Sequence, residues 1–221
     1  LIDWIIKWVV DSSGSGIPQV YAEVKGHMEA NWAKVLFSTI VAGVMTALGG
    51  LSLGPEGPSV QIGGMAGKGV ARLFKGSKTD ELRLILVGST VGITAAFNAP
   101  LAGVLFVMEE INHGFDKTLI FIALVSAIVS DFISKSIFGQ STVLTFPINN
   151  IPLENYWILI VLGIVIGVIG YVYNIGMIKS SDFVNSLKIP SQLKFVAVFI
   201  ISGVVALTIP QISDGGHFMM D

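Results

Sequence analysis

Uncharged apolar runs of uneven length, separated by short polar segments, organise the chain. Val35–Leu53 and Leu84–Met108 contain no charged residue, Tyr156–Ile178 is the cleanest run, and Phe195–Gln211 is a shorter one. A helix that crosses a bilayer takes about 20 mainly apolar residues, so these runs predict spanning helices. Thr118–Ser130 is also apolar but meets Asp131, which predicts a tilted or partly buried helix ending there. Leu1–Val10 is too short to span and lacks the layout of a signal peptide; it reads as the tail of a helix begun earlier. Gly and Pro interrupt the runs, notably at Gly54–Pro58 and Asn98–Pro100. Broken helices are tolerated in lipid where the freed backbone faces protein or a watery cavity, and solute sites are often built at such breaks. The pattern predicts an all-α, polytopic membrane chain with broken and re-entrant helices.

Composition agrees with lipid as the solvent. Of 221 residues, 52% are hydrophobic and 13% are charged, against about 25% charged in an ordinary soluble domain. The net charge of −2 comes with no clustered basic face of the kind a nucleic-acid partner requires. The absence of cysteine excludes disulfides, thiolate metal sites and cysteine catalysis. Lys68, Arg72, Lys75, Lys78 and Arg83 crowd the segment between the first two runs, and the positive-inside tendency places that loop in the cytoplasm. With Lys117 soon after the second run, its bend at Asn98-Ala99-Pro100 predicts a re-entrant pair with both ends on that side.

Several patterns fail as chemistry. Gly63–Gly69 looks phosphate-like, yet Ile62 and Gly69 stand where a P-loop needs Gly and Ser or Thr. His27, His113 and His217 are isolated, so no histidine metal site is expected, and no Ser–His–Asp arrangement can be assembled. Glycines at small-xxx-small spacing, such as Gly163 and Gly167, read as helix-packing contacts. Neither an enzyme nor a resident cofactor or metal is expected.

Three segments remain. In Gly14-Ser15-Gly16-Ile17-Pro18, a hydroxyl residue between glycines precedes a proline suited to a first helical turn. Ser15 then sits where unpaired backbone N–H groups and the positive dipole end collect, a ready anion site without a full positive charge; the plainer reading is an ordinary N-cap. In Gly54-Pro55-Glu56-Gly57-Pro58, Glu56 lies at the N-terminus of the helix that follows. There a carboxylate mimics a bound anion and could gate an anion site according to its protonation. Glu56 is the only charge between Lys34 and Lys68, which weighs against a solvated loop residue. After Asn98-Ala99-Pro100, Glu109 and Glu110 close the uncharged run. Neighbouring helical residues point about 100° apart, so at most one faces the protein interior, and spacing alone leaves open which.

These segments, extended to Gly57-Pro58-Ser59-Val60-Gln61-Ile62-Gly63-Gly64 and Ala95-Ala96-Phe97-Asn98-Ala99-Pro100-Leu101-Ala102-Gly103, resemble the CLC family of chloride channels and proton-coupled chloride antiporters. The resemblance implies an all-α inverted-repeat fold whose helix N-termini converge on an anion in mid-membrane, with one pore per subunit of a homodimer. It implies that Ser15 coordinates chloride through its hydroxyl, that Gly14, Gly16 and Gly57 belong to the anion site, that Glu56 is the gating glutamate and that Glu110 is the internal proton-transfer glutamate. Ser15 is similar to the residue of chloride-selective members, where proline suggests nitrate. Chloride is then the transported ion and protons, the bilayer and a second copy are the partners, in the multi-pass inner or cell membrane of a bacterium. Proton-coupled Cl−/H+ exchange is the leading expectation. A passive voltage-gated channel, a fluoride-selective relative and a truncated, non-transporting fragment are the alternatives. Two departures matter. Pro55 replaces the usual Lys or Arg before the gating glutamate, removing a positive charge and a backbone N–H. The family's later G-x-F-x-P motif and pore-lining tyrosine are absent, and Gly215-Gly216-His217-Phe218 looks like a loop near the start of the second repeat's anion-facing region. Residues 1–221 therefore read as a partial transmembrane domain, most of the first repeat and the start of the second, without a separate soluble domain.

Overall fold

The computed structural model describes residues 9–12, 14–48, 54–139, 152–187 and 189–208. Leu1–Trp8, the Gly215–Phe218 segment and the C-terminal ends of the Val35–Leu53 and Phe195–Gln211 runs lie outside the described residues. Eight α-helices occur among the described residues: α1 (Ile17–Val24), α2 (Trp32–Leu48), α3 (Glu56–Leu73), α4 (Lys78–Phe97), α5 (Pro100–Phe106), α6 (Lys117–Phe138), α7 (Trp157–Ser186) and α8 (Ser191–Thr208). A π-helical turn, Val107–Asn112, continues α5. No strand occurs among the described residues, and the chain is all-α as expected. It divides into two units, Leu1–Leu144 with Ser202–Asp221, and Thr145–Ile201.

The first unit is built around α3 and α4, which pack antiparallel through bare backbone. A Cβ on Gly63 would fall 2.1 Å from the Gly88 carbonyl oxygen, one on Gly67 1.9 Å from that of Leu84, and one on Gly92 2.0 Å from that of Ser59. The three contacts step by four residues in opposite directions, so small residues on one face of each helix allow the close approach that membrane helices favour. Gly163 and Gly167, expected in this role, meet nothing within 4 Å among the described residues. Spacing finds a smooth helix face but does not say whether a partner covers it.

Around this pair Val60, Ile85, Val104, Val107, Met108, Ile111, Ala123 and Ala127 form a buried core that joins α3 and α4 to α5, the π turn and α6. Local signals explain the boundaries. Ser77 Oγ accepts from the Asp80 N–H at 3.2 Å while the Ser77 N–H donates to Asp80 Oδ2 at 3.0 Å, a reciprocal cap that starts α4 six residues before the apolar run it carries. Asn98 ends α4 in the left-handed region, φ 51°, and Pro100 opens α5. Gly103 of α5 lies against Thr94 and Thr90 of α4. The expected bend is therefore a fold-back of one short helix on a longer one.

Two boundaries differ from expectation. The helix over Thr118–Ser130 does not stop at Asp131 but runs to Phe138, because Lys135 Nζ one turn on donates to Asp131 Oδ2 at 2.6 Å. The basic segment is also mostly helix: Lys68 and Arg72 belong to α3, and the turn itself retains only Lys75. Arg72 donates to Glu29 at 2.7 Å and to Glu81 at 2.8 Å, and its hydrogen bond holds the Glu29 carboxyl below the usual carboxylate range. Much of the apparent positive charge is thus locally paired.

In the second unit α7 runs 30 residues and buries no side chain, about 45 Å at 1.5 Å per residue. Helices α6, α7 and α8 are each long and apolar enough to cross a membrane. Their exposed Ile, Val, Leu and Phe side chains suit contact with lipid or with other protein.

Candidate functional site

Gly14 and Gly16 have φ angles of 94° and 96°, a left-handed conformation that glycine adopts without strain. They turn the chain into α1, with Gly16 as N-cap and Pro18 in the first turn. The Gly16 N–H donates to Gln19 Oε1 at 2.9 Å. The cap therefore comes from Gln19 and not from Ser15, whose side chain is exposed and makes no hydrogen bond among the described residues. With its amide occupied in this way, Gly16 contributes closeness at this turn.

The N-terminus of α3 lies against this turn. A Cβ on Gly57 would fall 1.8 Å from the Ser15 carbonyl oxygen and 2.7 Å from Ser15 Oγ, and one on Gly16 would fall 2.5 Å from the Gly57 carbonyl oxygen. Further along, Gly64 approaches Val20, whose Cγ2 is 3.4 Å from where its Cβ would stand, and Glu23 pairs with Lys68. The contacts 16 with 57, 20 with 64 and 23 with 68 advance in the same direction along both helices. So α1 and α3 run parallel, and their N-termini meet side by side at Ser15.

The donor inventory at this end follows from the chain. The first turns of a helix leave N–H groups without intrahelical partners. Pro18 and Pro58 have none to offer, while Val20 and Ser59 donate to the Gly16 and Pro55 carbonyls at 3.1 and 3.0 Å. Among the described residues, that leaves the amides of Ile17, Glu56 and Gly57 beside the Ser15 hydroxyl. The nearest lysine along α3, Lys68, is twelve residues on from Glu56, about 18 Å at the helical rise. Among the described residues, the cluster offers partial positive charge and hydrogen bonds with no fixed cation.

Glu56 occupies the first turn of α3 and is half-buried. Its carboxylate folds back over Gly54, where a Cβ would stand 2.0 Å from Oε2. One turn on, the buried Gln61 fixes the site from behind: its Oε1 accepts from Thr39 Oγ1 at 3.0 Å, and its Nε2 donates to the Asp11 carbonyl at 2.9 Å. A single amide thereby ties α3 to α2 and to the segment that leads into Gly14.

Glu109 and Glu110 lie on the π turn, and both are exposed, while Val107, Met108 and Ile111 of the same turn are fully buried. This turn packs at the opposite end of α1 from Ser15. Tyr21 and His113 meet edge-to-face with centroids 5.4 Å apart, and Lys25 Nζ donates to the Asn112 carbonyl at 3.3 Å. Ser15, Gly16, Glu56 and Gly57 are brought together; Glu110 is set apart by the length of α1, about 12 Å for eight residues.

Glu23 and Gln61 have no place in the sequence reading of the site, and Lys68 figures there only as loop charge. The signal was spacing: positions 57, 61, 64 and 68 share one helix face, as do 16, 20 and 23. Such spacing identifies faces but not the pairing between them.

The sequence profile described as "Voltage gated chloride channel" matches residues 1–221. Among solved structures, the chain is similar to the X-ray crystal structure of a slow cyanobacterial Cl−/H+ antiporter, with 33% sequence identity and a TM-score of 0.87. The match covers 97% of this chain and 52% of that one, so the chain spans about half the length of that structure. With this family match along the whole chain, a shared fold and helices able to cross a bilayer, the chain is a membrane protein that belongs to the voltage gated chloride channel family.

Proposed function

We propose that the protein exchanges chloride for protons across a membrane, holding the anion at Ser15 between the N-termini of α1 and α3, with Glu56 as the gate. The observation that carries this reading is the parallel pairing of those two helices. Each N-terminus contributes about half a positive elementary charge, and the Ser15 hydroxyl adds a donor that caps no helix. An ion pathway needs binding strong enough to attract the ion and weak enough to release it; dipoles without a fixed cation meet both demands. Glu56 is itself an anion at the edge of this cluster. Ionised, it competes with chloride for the same donors; protonated, it leaves the site and carries a proton. The similarity to a structure described as a Cl−/H+ antiporter supports exchange over a passive pore. The resemblance extends the same reading to a homodimer in a bacterial cell membrane.

Ser15 sets the anion preference in this account. Ser15→Pro removes the hydroxyl and an N–H, donors that a compact halide uses more than the larger nitrate. The nitrate-to-chloride ratio, measured by anion flux from liposomes, is expected to rise several-fold; identical ratios in the two proteins would reduce Ser15 to a turn residue.

Glu110 supplies protons to Glu56 from the far end of α1. Glu110→Gln is expected to stop chloride-driven proton movement while chloride still passes, and Glu109→Gln to have the smaller effect. The two variants are compared in one flux assay at matched protein density. Proton pumping that survives Glu110→Gln would place the relay elsewhere.

A further inference from the structure

We infer that the buried Glu23–Lys68 pair is the positioning device that sets how the N-termini of α1 and α3 meet, an inference that rests on the anion-site reading above. Both side chains are completely removed from solvent. Lys68 Nζ donates to Glu23 Oε1 and, at 2.8 Å, to the Ala30 carbonyl. The Ala30 N–H donates to Glu23 Oε2 at 2.7 Å. Both carboxylate oxygens are therefore engaged, and the two side chains grip the same residue from its N–H and its C=O. With a donor on each oxygen and the side chain removed from solvent, Glu23 differs from the half-buried Glu56 and the exposed Glu110.

The place of the pair along the helices is what connects it to the site. Glu23 lies in the last turn of α1 and Lys68 three turns into α3, on the faces that carry Gly16 and Gly57 at their other ends. Gly57 brings no side chain of its own to the contact, only backbone against the Ser15 carbonyl and hydroxyl. Glycine contacts permit closeness but resist sliding poorly, so the register must be held elsewhere on the same pair of helices. A buried ion pair is suited to this, because any slip leaves desolvated charge without a partner. The Lys68 ammonium also stands at the C-terminal end of α1, where a cation offsets the dipole of a helix packed parallel to its neighbour.

The test compares Glu23→Gln, Lys68→Met and the double variant Glu23→Leu/Lys68→Met in the detergent-solubilised protein. Each is read by thermal unfolding and by chloride titration calorimetry. Either single change strands a buried group and is expected to lower the unfolding midpoint. The double change removes both charges, and apolar replacement of a buried pair commonly preserves stability, so its midpoint is expected to recover in part, short of the native value because the Ala30 N–H and C=O lose their partners. Chloride affinity is the readout that a merely structural pair would not move: it is expected to remain about 3- to 30-fold weaker in the stable double variant, the range for changes that act on a site at a distance. Native chloride affinity in the folded double variant would overturn the positioning role. Absence of chloride binding by the unmodified protein would instead overturn the reading of the site, and the positioning role with it.

Discussion

In the Glu56→Gln protein, chloride flux is expected to persist while proton uptake driven by a chloride gradient falls to the background of empty liposomes. Glutamine keeps the size of the side chain and its place in the first turn of α3, so the helix start and its contact with Ser15 are undisturbed. It removes two properties together. A neutral amide cannot compete as an anion for the donors of α1 and α3, and it carries no exchangeable proton of the kind a carboxyl group shuttles. The carboxylate already folds over Gly54, so movement on and off the site takes no rearrangement of the helix. Proton uptake followed with a pH electrode, beside chloride efflux from the same liposomes, separates the two effects. Unchanged proton uptake in the variant would remove Glu56 from the mechanism.

Gly57→Ala is expected to reduce chloride binding and flux together, by about 10-fold or more. The added Cβ would stand 1.8 Å from the Ser15 carbonyl oxygen, so the two helix starts must part. Inserting a methyl group into a tight contact usually costs about 1–3 kcal/mol, and here the atoms displaced are those that would hold the anion. Gly163→Ala is the matched control. Its Cβ meets nothing within 4 Å among the described residues, and alanine favours a helix over glycine. Flux in the Gly163→Ala protein is expected to equal that of the unmodified protein, whereas native chloride affinity in Gly57→Ala would show that the anion binds away from this contact.

The parts of the site nearest in sequence were the most legible. Glycines around Ser15, prolines beside helix starts and a lone carboxylate in an uncharged stretch are local signals, because backbone conformation and desolvation act at short range. They made Ser15 and Glu56 candidates before any fold was known, with Gly57 joining them only through the resemblance, and the break at Asn98–Pro100 was equally plain. What sequence did not show was pairing. Lys68 followed a glycine-rich stretch and looked like loop charge, because nothing nearby indicates that Glu23, 45 residues earlier, would bury with it. Asp131 looked like a helix end because a charge in an apolar run is costly; Lys135, one turn on, offsets that cost. The same holds for the packing glycines. Gly163 and Gly167 have the same spacing as Gly63 and Gly67, and among the described residues it is the second pair that faces a helix with matching small residues. The burial of Val107, Met108 and Ile111 beside the exposed Glu109 and Glu110 depends on the π turn, whose wider winding is not coded in an α-helical period.

The central claim is that an anion rests between the N-termini of α1 and α3. Crystals of the protein grown with bromide in place of chloride, located by anomalous scattering, test it most directly. The account predicts a bromide peak within hydrogen-bond reach of Ser15 Oγ and of the amides at the start of α3. Bromide bound elsewhere in the protein, with none between these two helix ends, would contradict it.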